Sequence, residues 1–372
     1  MRPLICITIL AGSFFCRPDS SCSAGELSCG PLASALFLRL DRYYLYLPVG
    51  TSTELYSLDA GTGRITAVPG SSFGATNLMS VDSAGRFLYN NIQAAAPNNV
   101  SSYSIDTYSG RVSATSSPLA SANNQPVYSA VHPGGRFIYF SNYQSLDVTA
   151  FSIDQATGNL TRIGDYSASC GCTNLAQIQV TPDGKYLYTT SNGGGNSISG
   201  FSINQSTGEL SFLAATGGVA GLDALLIDPS SSFLYAVSSG GTILGYSINA
   251  AGGLSALAGS PFAGIANNFR GAMHPSGKYL YTVNVGGGQL SKHDIGATGT
   301  LSSPTTLAVG TNLQFVTLEP NGGFGYINDG VASSIYIFSI DQTGTAALLT
   351  GNPFTVSAIP GRPTAVRTNG WL

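Results

Sequence analysis

HPGGRFIYFSN, residues 132–142, sets a Pro-Gly-Gly turn before a run of aromatic and aliphatic residues that ends in Asn. Pro and Gly supply the fixed and positive φ angles of a tight turn, and the apolar alternation that follows has the period of a strand. Variants recur along the chain: DSAGRFLYNN from Asp82, TPDGKYLYTTSN from Thr181, DPSSSFLYAVSS from Asp228, HPSGKYLYTVN from His274 and EPNGGFGYIND from Glu319. The Tyr within the run falls at Tyr89, Tyr139, Tyr188, Tyr235, Tyr281 and Tyr326, and Tyr46 in YYLYLPVG precedes them without an upstream turn. Neighbouring copies lie 43, 50, 49, 47, 46 and 45 residues apart. A period in the forties filled with short strands is the signature of propeller blades.

Each unit reads as four strands. A short apolar first strand (VYSAV, 127–131) precedes the turn, and the aromatic run is the second. The third ends in Ile-Asp or Ile-Asn, as at Asp154, Asn204, Asn249 and Asp341, followed by loops such as QATG and QSTG and a brief fourth strand. Alternation puts the aromatics on one face, where they pack against the next blade. The chain enters at Tyr43 with a second strand and finishes with GRPTAVRTN (361–369), which reads as a first strand without a successor. The expectation is an all-β, seven-bladed propeller over residues 41–372, its ring closed by the C-terminal strand so that no sheet edge is left open at the seam.

The totals agree. The 372 residues are 43% hydrophobic but only 9% charged, with net charge −3 and 47 Gly. Nucleic-acid partners need clustered Lys and Arg, which are missing. Residues 1–40 match nothing in the repeats. Arg2 followed by an apolar stretch from Leu4 to Phe15 and small residues around 21–25 has the layout of a secretory leader, the alternative being a misplaced start codon. The expected location is therefore periplasmic or extracellular, for a monomer with no membrane span in the mature chain.

Units of the form HPxGRFxYxxN…FxIDxxTGxL resemble the seven-bladed propeller lactonase family, which includes 6-phosphogluconolactonase-like proteins, carboxymuconate-cyclising enzymes and YVTN-repeat surface proteins. The resemblance covers about residues 43–368. It implies a metal-independent lactonase, with no cofactor, working at one mouth of the central channel. It also implies an Arg-His pair, a Glu and a second His in the site. Phe269, Arg270, Val285 and Val127 stand at those positions, so the family's catalytic set does not carry over. A binding propeller without catalysis, or a surface structural module, is the competing reading.

Ligand sites on such a ring lie where the innermost strands begin. Those starts are polar here: Asn77, Gln125, Asn174 with Gln177, Asp223, Asn267 with Arg270, Asn312 with Gln314, and Arg362. Arg270 and Arg362 suit an anionic or sugar-like ligand through bidentate hydrogen bonds, and Asp223, read as two blades before Arg270, is the carboxylate able to activate water. The bland alternative is that these residues only satisfy strand ends. His132 and His274 hold a turn position that Asp, Thr and Glu hold in sibling units, which favours turn chemistry, and His293 reads as exposed. No cluster has metal spacing. Cys170-Gly171-Cys172 is open to a disulfide, two buried thiols or a soft-metal or redox pair.

Overall fold

The structure, a computed structural model, describes residues 39–74, 78–92, 99–115, 119–120, 125–193, 197–217 and 221–371. Most of the stretch read as a leader, together with Asn77, lies outside the described residues. The unit Leu40–Gly370 is compact. It is built of seven antiparallel sheets arranged as the repeats predict. We number the blades along the chain. Their innermost strands are Thr364–Trp371 in blade 1, then Leu78–Val81, Pro126–Val131, Asn174–Val180, Leu222–Ile227, Asn268–Met273 and Leu313–Leu318 in blades 2 to 7. In blade 1 the C-terminal strand pairs with Arg39–Val49, the first strand of the ring, so both ends of the chain complete one sheet.

The repeated Tyr explains the repeat. All seven are fully buried. In six of them the hydroxyl donates to the carbonyl of a turn glycine in the next blade: Tyr46 to Gly110 at 2.6 Å, Tyr139 to Gly208 at 3.1 Å, Tyr188 to Gly252 at 2.8 Å, Tyr235 to Gly299 at 2.7 Å, Tyr281 to Gly344 at 2.6 Å and, across the seam, Tyr326 to Gly63 at 3.1 Å. The same glycine lies flat on the aromatic ring that opens the second strand. At Gly208 (φ +75°) an added Cβ would come within 2.4 Å of Phe137. Only glycine offers both the positive φ and the missing side chain. The turn itself is held as its sequence suggests: Asp154 Oδ1 accepts from the backbone N–H of Ala156 (2.9 Å) and Thr157 (2.8 Å).

At the same end of the blades the histidines do turn work. His132 Nδ1 accepts from Gly134 N–H (2.9 Å), and its Nε2 lies 3.1 Å from the Gly184 carbonyl of blade 4. His274 repeats this with Ser276 N–H (3.1 Å) and the Gly322 carbonyl of blade 7 (3.0 Å). His293 is not exposed. It is fully buried, because the strand's alternation turns its position inward like the aromatic it replaces, and its Nδ1 meets the Ser302 carbonyl at 2.9 Å.

The outer strands are not uniformly brief. Blades 3 and 4 carry eight-residue outer strands, Leu160–Ser167 and Leu210–Gly217. In blades 1, 5 and 7 a proline (Pro69, Pro261, Pro353) interrupts the outer edge, leaving a three-residue and a two-residue piece that both pair with the third strand. Proline lacks the N–H the ladder needs, and LTRIGDYS and LSFLAATG contain none.

Candidate functional site

The inner strands share a second feature. In blades 3 to 7 the pairing with the second strand slips near its start: between Pro126 and Tyr128, Leu175 and Ile178, Leu222 and Ala224, Asn268 and Arg270, and Leu313 and Phe315. A bulge inserts a residue and re-aims its neighbours. Asp223 is itself such an inserted residue. Tyr128, Arg270 and Phe315 occupy the position just after the bulge in blades 3, 6 and 7.

These side chains meet across the channel mouth. Arg270 Nη2 donates to the Tyr128 hydroxyl at 2.6 Å, joining blades three apart. Its Nη1 lies 3.5 Å from Asp223 Oδ1, both side chains being nearly buried at 12% and 13% exposure. The guanidinium stands 5.4 Å from the Phe315 ring centre and 5.7 Å from that of Tyr128, within cation–π range. Asp223 and Arg270 sit on neighbouring blades, not two apart, because Leu222–Ile227 and Asn268–Met273 are consecutive inner strands along the chain. Asn192, at the end of the second strand of blade 4, also bonds the Asp223 carboxylate; burial nonetheless holds the Asp223 pKa above the usual carboxylate value.

Arg362 approaches from the segment that leads into the closing strand. That segment is pinned over blade 7: Asn328 Nδ2 donates to the Pro360 carbonyl (2.8 Å) and Thr317 Oγ1 to the Pro363 carbonyl (2.7 Å). Arg362 thereby lies in the field of both Tyr128 and Arg270, and burial first, then the neighbouring guanidinium, pushes its pKa down. It remains charged, since arginine does not lose its proton in proteins. Among the described residues no carboxylate stands within ion-pair distance of Arg362. Arg362, in the field of Arg270 and without a counter-ion among the described residues, offers a seat for an anion.

Asp223 and Arg270 are thus in contact, with Arg362 in the field of Arg270. Gln125 and Asn267 both have φ 59° and turn the backbone into blades 3 and 6. The Asn174 side chain lies against Gly193, and Gln314 against Gly330. Gln177 is buried, its carbonyl accepting from Thr189 Oγ1 at 2.8 Å. Sequence reading missed Tyr128, Phe315 and Asn192. Tyr128 and Phe315 look like ordinary strand aromatics, and only the shared bulge would have set them apart. Cys170 and Cys172, in the connection entering blade 4, are joined by a disulfide. Among the described residues no group of three or more His, Cys, Asp or Glu is arranged to hold a metal, and no helix is long and apolar enough to cross a membrane.

Comparison with known proteins agrees with the architecture. The family model described as lactonase, 7-bladed beta-propeller, matches residues 47–171 and 144–217. A 6-phosphogluconolactonase of Pectobacterium carotovorum is 28% identical over 234 residues, 60% of this chain and 69% of its own length. One from Formosa agariphila is 35% identical over 115 residues, 29% of this chain and 32% of its own. Among solved structures, a periplasmic gluconolactonase of Pseudomonas aeruginosa superposes with a TM-score of 0.72 at 19% identity, covering 87% of this chain and 99% of that one. A Lactobacillus plantarum protein superposes with a TM-score of 0.75 at 15% identity, covering 88% and 100%. With seven blades and a closing C-terminal strand, the chain is a seven-bladed propeller that resembles the lactonase family.

Proposed function

We propose that this protein is a lactonase-like hydrolase acting at the channel mouth on a lactone that carries an anionic group. The observation that carries the reading is Arg362, set beside Arg270 and Tyr128 with no carboxylate of its own. An anionic group seated on Arg362 brings the lactone carbonyl toward Arg270 and the Tyr128 hydroxyl. These donors meet the negative charge that develops on oxygen as water attacks, where a fixed donor acts more strongly than solvent. Asp223 is the inner-strand carboxylate at this mouth; it takes the proton from that water and returns it to the ring oxygen as the acyl C–O bond breaks. The names of the Pectobacterium and Formosa relatives support lactone chemistry. The leader-like N-terminus and the periplasmic Pseudomonas neighbour support an exported protein. We take it to be a monomer.

The test is hydrolysis of a panel of sugar and aromatic-acid lactones by purified protein. Turnover above background is expected, and Arg270→Ala should lower kcat/KM by about 10²–10³, the scale for losing one donor to a developing oxyanion. Ligand binding without turnover would favour the second reading, a binding propeller. Val127 and Val285, standing where the family places a His and its Glu, and Phe269-Arg270 in place of its Arg-His pair, speak for that alternative.

A further inference from the structure

We infer that the mouth selects a singly charged carboxylate over a phosphate monoester, and that Asp223 sets the choice. This rests on the mouth being the ligand site and names the class of anion it takes.

The charged groups there can be enumerated. The seven inner strands carry only Asp223, Arg270 and Arg367, and Arg367 is exposed and paired with Asp41. Arg362 is added from the segment before the closing strand. The internal loops outside the described residues (75–77, 93–98, 116–118, 121–124, 194–196 and 218–220) contain no Asp, Glu, Lys, Arg or His. Asp147, Asp329 and Glu54, on or beside hairpins at the same end, are engaged locally, Asp147 with Asn142 (2.7 Å) and Ser145 (3.0 Å), Asp329 with the N–H groups of Val331 (3.0 Å) and Ala332 (3.2 Å), and Glu54 with the hydroxyls of Tyr56 and Ser357 (both 2.5 Å). The three histidines belong to turns and outer packing. Two guanidiniums and one carboxylate leave the mouth at +1.

The available donors tell the same story as the charge. Both terminal nitrogens of Arg270 are directed at protein groups, one at Asp223 and one at Tyr128. Arg362 has no side-chain hydrogen bond or ion pair among the described residues, and one planar fork matches the two oxygens of one carboxylate. A phosphate dianion would bring a second charge with no second cation to meet it, since Asp223 already balances Arg270. In a desolvated site that unmatched charge is costly. Removing the Asp223 charge should release Arg270 and convert the mouth from a carboxylate seat into a phosphate seat.

The experiment compares D-glucuronate with D-glucose 6-phosphate, a monoanion and a dianion on the same hexose frame, by titration calorimetry at pH 7.5. The wild-type protein is expected to bind glucuronate at least about tenfold more tightly, and Asp223→Asn to tighten glucose 6-phosphate by about tenfold or more, on the scale set by one like charge at a buried interface. Arg362→Ala should abolish binding of both. A second measurement needs no variant: lowering the pH from 7.5 to 5.5 converts the phosphate, whose second pKa is about 6, toward a monoanion. Its binding to the wild-type protein should strengthen relative to glucuronate. Preference of the wild-type protein for glucose 6-phosphate, or an unchanged ratio in Asp223→Asn and across pH, overturns the inference. Hydrolysis of neutral lactones with no binding of either anion overturns it while leaving the hydrolase reading standing. Absence of both binding and hydrolysis removes that reading as well.

Discussion

His132 and His274 each join two blades through one imidazole, and the arrangement has a pH signature. Burial is the main cause that holds all three histidines below the ordinary value of 6.5. The unfolded chain therefore takes up protons that the folded protein refuses. Stability is full above about pH 6.5 and falls as the pH drops through that value toward the folded pKa values. The urea midpoint should decline between pH 7.5 and 5.5, and His132→Gln with His274→Gln should flatten the decline. Glu319, at the same turn position in blade 7, works in the opposite sense. Only 1% exposed, with Oε2 unbonded among the described residues, it has a pKa raised by burial. Its folded form keeps a proton that the unfolded chain loses above the usual carboxylate range, so stability falls as the pH rises through that window. Glu319→Gln should be more stable than wild type at pH 7, read as a higher urea midpoint.

Between elements, the recurring contact is the tyrosine of one blade on the turn glycine of the next. Tyr188→Phe leaves the buried Gly252 carbonyl without its donor and should cost about 1–3 kcal/mol in chemical denaturation. Tyr89 provides an internal control: its hydroxyl is buried with no partner among the described residues. Tyr89→Phe should therefore be neutral or slightly stabilising. Gly208→Ala meets both a positive φ, worth about 1–2 kcal/mol for a residue with a Cβ, and the Phe137 ring at 2.4 Å. A loss above 2 kcal/mol is expected, of the kind seen when a core is overpacked. The same logic accounts for the split outer strands. Proline removes one rung of the edge ladder, and the chain resumes pairing on the third strand after the gap.

On the scale of the whole molecule, closure concentrates the importance of the two chain ends in blade 1. The Thr364–Trp371 strand supplies that blade's innermost layer, and the Arg362 segment before it is anchored on blade 7. Deleting residues 360–372 exposes the edge of the first strand at the channel and removes one cation of the mouth. Loss of a single sharp thermal transition is the expected outcome in calorimetry. A truncated protein that melts as cooperatively as the full chain would contradict the closing role of the strand.

The sequence by itself determined the ring. Seven aromatic-Tyr strands at near-constant spacing, with complementary ends, leave one way to bury every repeated face, because strand alternation and glycine turns are local properties written in adjacent residues. It also singled out Arg270, Arg362 and Asp223, since charges are rare here and stand out at strand starts. What only the tertiary structure decided is which of the polar starts meet. Asn174 and Gln314 lie at equivalent places in sequence yet fold back on their own hairpins, while Tyr128 crosses the channel to Arg270 from three blades away. That difference is made by single-residue bulges in the inner strands, which turn a side chain toward or away from the channel without changing the hydrophobic pattern. A one-residue slip leaves almost no trace in a sequence read strand by strand, but it decides the chemistry of the mouth.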